Sequence, residues 1–174
     1  MQRPARPAGG STRSSRRTRR EEYFRRVFYA PMTTRPTHTD CLNTLFGLRR
    51  FGIKLGLATI RRMLSNLGNP QRRYRTIHIA GTNGKGSVAS GIASVLRASG
   101  YRVGLYTSPH LVRFNERIQI DGAEIADADI VRLYRRVRRA LPEGREPTFF
   151  EFTTAMALDE FARRRREGES IRTA

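Results

Sequence analysis

Gly81, Thr82, Asn83, Gly84, Lys85, Gly86 and Ser87 are consecutive, and their types and spacing point most directly to chemistry. The segment sits between an apolar run at 74–80 and a stretch with helical periodicity. Glycines let such a turn close with backbone N–H groups aimed inward at an anion. A helix N-terminus adds partial positive charge, and Lys85 can reach the β- and γ-phosphates of a nucleotide. Ser87 offers a hydroxyl near the place where a phosphate loop holds Mg²⁺. The plainer alternative is a glycine turn that only reverses the chain. Against it, the chain has 32 arginines and only two lysines, Lys54 and Lys85, and one of the two falls where phosphate binding needs it.

The elements that must position this loop read as α/β. The run at 74–80 (YRTIHIA) predicts a buried strand, and Val88, Ile92, Val95 and Leu96 predict one face of a helix ending at Gly100. The small residues on its other positions suit close packing on a sheet. Residues 102–107 (RVGLYT) predict a second strand, which completes a βαβ unit of ordinary length. Earlier, a short helix is expected over about 40–50. Another carries Leu57, Ile60, Met63, Leu64 and Leu67, with Gly68 placed to cap it. Residues 117–121 (RIQID) alternate and turn at Asp121-Gly122, and helices follow at about 126–140 and 149–165. No strand is expected after the last helix. The sheet should then be mostly parallel, with one edge open.

Composition bounds the rest. The 174 residues carry 34 basic and 15 acidic side chains, a net charge of +19. That length suits one domain with a core, or one domain and a tail. No apolar run is long enough to span a membrane, and Cys41 alone cannot form an internal disulfide. His38, His78 and His110 are scattered and form no zinc pattern. A reducing, cytoplasmic setting is the expectation. Residues 1–31 hold nine Arg and two Glu among Ser, Thr, Pro and Gly, so this tail is expected to be disordered. A nucleic-acid-binding arm, a transit peptide and a non-native extension ahead of Met32 all fit it. Arg132, Arg135, Arg136, Arg138 and Arg139 surround Ile130, Tyr134, Val137 and Leu141 at helical spacing, which predicts a solvated helix face.

The glycine loop departs from the strict phosphate-loop pattern: Ile79 and Gly86 stand where that pattern has Gly and Ser or Thr. The form G-x-x-G-K-G-S is instead that of the Mur ligase superfamily. FGIKLGL (51–57), HIAGTNGKGS (78–87), GLYTSPHLVRFNERIQIDG (104–122) and PTFFEFTTAMAL (147–158) follow one another as in folylpolyglutamate synthases and dihydrofolate synthases. The chain resembles that family over about residues 40–162.

The resemblance implies an α/β, three-layer, phosphate-loop domain of Mur ligase type with a mostly parallel sheet, incomplete at its C-terminus. The family's later metal-ligating segment and its C-terminal glutamate-binding domain would be absent, leaving residues 32–174 as the N-terminal part of the ATP-binding ligase domain. The implied reaction joins L-glutamate to dihydropteroate or folates with ATP and Mg²⁺, through an acyl phosphate. A truncated chain is expected to be inactive alone. By the same resemblance, Gly81 to Ser87 hold ATP, with Lys85 stabilising charge at the γ-phosphate, and Ser108 joins Ser87 as a metal ligand. Gly52, Ile53, Lys54 and Leu55, together with Thr148, Phe149, Phe150 and Glu151, would contact the pterin substrate. His110, Asn115, Glu116 and Arg117 fall in the loop bordering both sites, and Arg113 and Arg117 could meet an anionic substrate. Neither membrane nor nucleic acid is an expected partner, and the full-length protein is expected to be a monomer. Two alternatives stand beside this reading: another Mur-type amide ligase, and a non-enzymatic nucleotide- or nucleic-acid-binding module, for which the charge is the main support.

Overall fold

The computed structural model of the chain describes residues 21–29, 31, 34–51, 56–166 and 171–173. Two compact units divide between Thr34 and Arg35. In the first, residues 21–24 are α-helical and Arg25–Tyr29 continue as a π-helical turn, with the Phe24 and Phe28 rings stacked at 5.3 Å. This part of the tail is therefore helical where composition predicts disorder. Tyr23, Phe24 and Phe28 give it an apolar content that the arginine-rich average hides. Residues 1–20 lie outside the described residues.

The second unit begins with helix α1, His38–Gly47, opened by a capping box in which the Thr37 hydroxyl accepts from the Asp40 amide and Asp40 accepts from the Thr37 amide. A 3-10 turn, Leu48–Phe51, follows. Helix α2 is Ala58–Asn66, and it ends as its glycine predicts: the amides of Gly68 and Asn69 donate to the carbonyls of Ser65 and Leu64. Strand β1 is Arg75–Thr76, helix α3 is Lys85–Ala98 and strand β2 is Arg102–Tyr106. Strands β3, Ile118–Ile120, and β4, Ala123–Glu124, form a hairpin whose turn residues Asp121 and Gly122 both have positive φ. Helices α4, Asp127–Arg139, and α5, Phe149–Arg166, precede strand β5, Ile171–Thr173.

The sheet order is β1-β5-β2-β3-β4. β1 and β2 each pair parallel with β5, while β2–β3 and β3–β4 are antiparallel. Three sequence expectations are corrected here. The sheet is mixed rather than mostly parallel, because the 107–117 loop returns β3 antiparallel to β2 and the Asp121-Gly122 turn then folds β4 back onto β3. A strand does follow the last helix, and it lies between β1 and β2. The expected strand at 74–80 shrinks to two paired residues: β5 reaches only Arg75 and Thr76, and Ile77 is exposed.

Alternation along β2 sets the layers. Val103 and Leu105 pack with Ala89 and Ala93 of α3 on one face. Gly104 faces the other way, where a Cβ would overlap the Phe161 ring of α5. The strand is thus held between two helices, and α1, α2 and α4 pack around α5 on its side. Tyr74 donates from its hydroxyl to the Leu158 carbonyl (3.1 Å), and Asn66 Nδ2 donates to the Ala140 carbonyl (3.0 Å), tying the connecting segments to this layer.

The arginines of α4 are not simply solvated. Arg132 bonds Glu160 of α5, and Arg136 Nε lies 2.6 Å from Asp159. Arg163 and Arg164 also donate to Glu160, which is fully buried. Burial opposes ionisation of Glu160, but hydrogen bonds from Arg163, Arg132 and Arg164 outweigh it and bring the carboxyl down to about 2.

Glu160→Gln is expected to destabilise the chain toward the lower end of about 3–5 kcal/mol, since clustered guanidiniums would face a neutral amide and remain partly solvated. The wild-type contribution should be complete above the ordinary carboxylate value of 4.5 and fade as pH falls toward about 2, so the two urea midpoints should converge in acid. Equal midpoints at neutral pH would contradict this.

Candidate functional site

The glycine loop leads directly into α3. Gly84 is the N-cap residue with φ +73°, a conformation that favours glycine, and it supplies no side-chain cap. The first-turn amides, which a helix leaves without intrahelical partners, therefore meet no capping side chain. Lys85 heads the helix and folds back, its Nζ donating to the carbonyls of Gly81 (2.7 Å) and Thr82 (2.8 Å). Residues 81–88 are all exposed. Gly86 is informative for a different reason. Its backbone lies outside the positive-φ region, and a Cβ there would meet nothing within 4 Å, so nothing in the protein itself requires glycine.

A second loop leaves the end of β2. It is closed at its base by the Thr107 amide donating to the Arg117 carbonyl (3.0 Å) and carries a cis Ser108–Pro109 bond. Ser108 is exposed. The loop is shaped from within by Glu116, whose carboxylate accepts the amides of Leu111 (2.7 Å), Val112 (2.9 Å) and Arg113 (2.6 Å). Those backbone bonds, from Arg113, Leu111 and Val112 in order of weight, hold its carboxyl below the usual range. Asn115 anchors the following 3-10 turn, Phe114–Arg117, through Nδ2 bonds to the Ile125 carbonyl and to Asp127, each 2.8 Å.

Arg117 turns inward rather than toward solvent, with only 3% of its surface exposed. Its Nε donates to His110 Nδ1 at 2.7 Å. Its guanidinium lies 5.1 Å from the centre of the Phe149 ring and 5.9 Å from that of Phe114. Arg49 lies 4.5 Å from the Phe149 ring centre and 4.9 Å from that of Phe46. Desolvation, then the charges of Arg117 and Arg49, lower the pKa of His110, with Glu116 opposing.

The start of α5 divides the expected substrate residues. Thr148 and Glu151 serve the helix itself: Glu151 Oε2 accepts the Thr148 amide (2.8 Å) and hydroxyl (3.0 Å), and the Glu151 amide donates back to the hydroxyl (3.1 Å). Phe149 joins the aromatic and guanidinium stack, whereas Phe150 is 56% exposed, 6.3 Å from the Tyr106 ring. Gly52, Ile53, Lys54 and Leu55 lie outside the described residues. Arg113, the other candidate for an anionic substrate, reaches Asp127 at 3.2 Å. Sequence reasoning missed Phe46 and Arg49, since one arginine among many gives no signal. It named Glu116 without its role as a loop clamp.

The parallel pairing of β1 and β2 with β5 sends the glycine loop and the Ser108 loop out from the same, carboxyl edge of the sheet. Among the described residues no group of three or more His, Cys, Asp or Glu could hold a metal ion. The exposed hydroxyls of Ser87 and Ser108 are oxygen donors of the class Mg²⁺ prefers, so they fit a metal shared with phosphate oxygens rather than one held by protein alone. No helix among the described residues is long and apolar enough to cross a membrane.

No protein-family model matches the chain. The dihydrofolate synthase/folylpolyglutamate synthase of Bacillus subtilis is 38% identical over 130 residues, covering 72% of this chain and 30% of the relative. The structure of folylpolyglutamate synthetase from Lactobacillus casei superposes with a TM-score of 0.71 at 41% identity, covering 80% of this chain and 36% of that one. A folylpolyglutamate synthase complex with AMPPCP and folate gives 0.69 at 40% identity, over 80% and 35% of the two chains. The chain thus spans about a third of the length of each of these three proteins.

Glu116→Ala is expected to release the Leu111, Val112 and Arg113 amides and speed their hydrogen exchange at least tenfold, leaving the amides of β2 unchanged. In the wild-type chain the clamp should persist through the ordinary carboxylate range and fail only at lower pH, since the carboxyl is held below its usual value. Unchanged exchange in the variant would contradict the clamp.

Proposed function

We propose that this chain, similar over most of its length to folylpolyglutamate and dihydrofolate synthases, carries the nucleotide-binding part of an ATP-dependent ligase joining L-glutamate to dihydropteroate or a folate. The observation that carries the reading is the glycine loop opening α3: an uncapped helix start headed by Lys85, with Gly86 under no demand from the protein's own backbone or neighbours. A glycine that the protein does not need is accounted for by close approach of a ligand's phosphates. The relation to a protein solved with AMPPCP and folate supports the same assignment.

In this reading the amides of Lys85, Gly86 and Ser87, with Gly81, Thr82, Asn83 and Gly84 shaping the turn, surround the nucleotide phosphates. The Lys85 ammonium shifts from the loop carbonyls toward the γ-phosphate. Mg²⁺, when bound, would neutralise phosphate charge, with Ser87 and Ser108 as its hydroxyl ligands. A carboxylate is a poor acyl donor, and phosphorylation gives it a leaving group that the glutamate amine can displace. The protein's contribution is placement and charge stabilisation. Phe149 and Phe150, with Gly52, Ile53, Lys54 and Leu55, would border the flat substrate ring. Thr148 would act through the helix start that it shares with Glu151. A nucleic-acid-binding reading loses ground because Arg132, Arg136, Arg163 and Arg164 are paired with carboxylates.

Lys85→Ala is expected to weaken ATP binding at least tenfold by calorimetry, since it removes the loop's cation, while Lys54→Ala leaves ATP affinity unchanged. Equal affinities of Lys85→Ala and the wild type would contradict the assignment.

A further inference from the structure

We infer that Arg117 is a positioning residue that fixes His110 as the tautomer protonated on Nε2, so that the imidazole offers one N–H donor to a phosphate oxygen bound beside the Ser108 turn. The phosphate rests on the nucleotide reading above. The tautomer rests on geometry alone.

An arginine side chain only donates hydrogen bonds. With Arg117 Nε 2.7 Å from His110 Nδ1, that nitrogen must present its lone pair, and the proton of the neutral ring resides on Nε2. Arg117 cannot easily swing away. It is buried, its guanidinium lies near the Phe114 and Phe149 rings, and its carbonyl accepts the Thr107 amide at the base of the same loop. His110 is framed by the Phe46 ring at 5.9 Å and the Phe114 ring at 6.0 Å. One residue thus closes the loop at its base through its carbonyl and sets the ring at its shoulder through its side chain. The surroundings also favour an anion: Arg49 and Arg117 flank Phe149, while the nearby Glu116 carboxylate already accepts three backbone amides. Tyr106, at the end of β2, engages the Thr153 hydroxyl (2.9 Å) and adds no carboxylate.

Nitrogen-15 NMR of the histidine rings in the full chain tests this, with the His110 signal assigned by its loss in His110→Gln. The wild type is expected to show Nδ1 unprotonated and Nε2 protonated near neutral pH. Arg117→Met, which keeps an apolar stem without a donor, should give a mixture of tautomers, and Arg117→Lys, which retains a donor, should restore the Nε2–H form. A wild-type ring protonated on Nδ1 overturns the inference even if neither variant folds, and so does an unchanged tautomer in a folded Arg117→Met. Adding ATP with Mg²⁺ should shift the Nε2–H signal, and binding seen by calorimetry without such a shift overturns the donor role. If ATP does not bind while the tautomer is as expected, the nucleotide reading fails and the assignment of Arg117 stands.

Discussion

The close approach of β2 and α5 at Gly104 is the constraint on which the arrangement depends. A side chain at this position would occupy the space of the Phe161 ring, so the strand can lie against α5 only because it carries no Cβ there. Its neighbours Val103 and Leu105 point to the opposite face and seat α3 through two alanines. One strand therefore registers two helices. Each helix begins at a part of the candidate site: α3 at Lys85, α5 at Phe149. The strand itself runs into the loop bearing Ser108 and His110. Antiparallel pairing of β2 with β3, continued by the Thr107 amide on the Arg117 carbonyl, then fixes where that loop returns, at Arg117.

Electrostatics divides the molecule in two. Between α4 and α5, Arg132, Arg136, Arg163 and Arg164 converge on two buried carboxylates, Asp159 and Glu160, and are paired rather than turned out to solvent alone. Around Phe149 the described residues are arranged differently: two guanidiniums share aromatic faces, and Glu116 is directed to backbone amides. The first arrangement holds the helices together. The second leaves positive potential at the sheet edge from which both loops emerge. Net charge alone could not separate these roles, because arginine serves both.

Much of the helical part was legible. Periodicity and caps placed the helices now seen at His38–Gly47, Ala58–Asn66, Lys85–Ala98, Asp127–Arg139 and Phe149–Arg166 within a few residues, because their apolar stripes and terminal signals are local. The Asp121-Gly122 hairpin was legible for the same reason. Strand extent was not, since it depends on distant partners. The run at 74–80 has the composition of a buried strand but finds a parallel partner only at Arg75 and Thr76, and β5 reads as polar sequence until it is seen between β1 and β2. At the site, the glycine loop could be read from spacing. The fates of Phe149 and Phe150 could not, because adjacent residues on a helix face different surroundings and sequence does not say which is which.

If the glycine loop and the Ser108 loop, brought to one edge of the sheet, form the single nucleotide site proposed above, ATP with Mg²⁺ must perturb both. Amide NMR of the whole chain during titration with ATP and Mg²⁺ tests it most directly. Shifts that saturate together at Lys85, Gly86 and Ser87 and at Ser108, His110 and Leu111, with residues 1–20 unaffected, are the predicted result. Shifts confined to the arginine-rich residues 1–20, or saturating at different concentrations in the two loops, would contradict it.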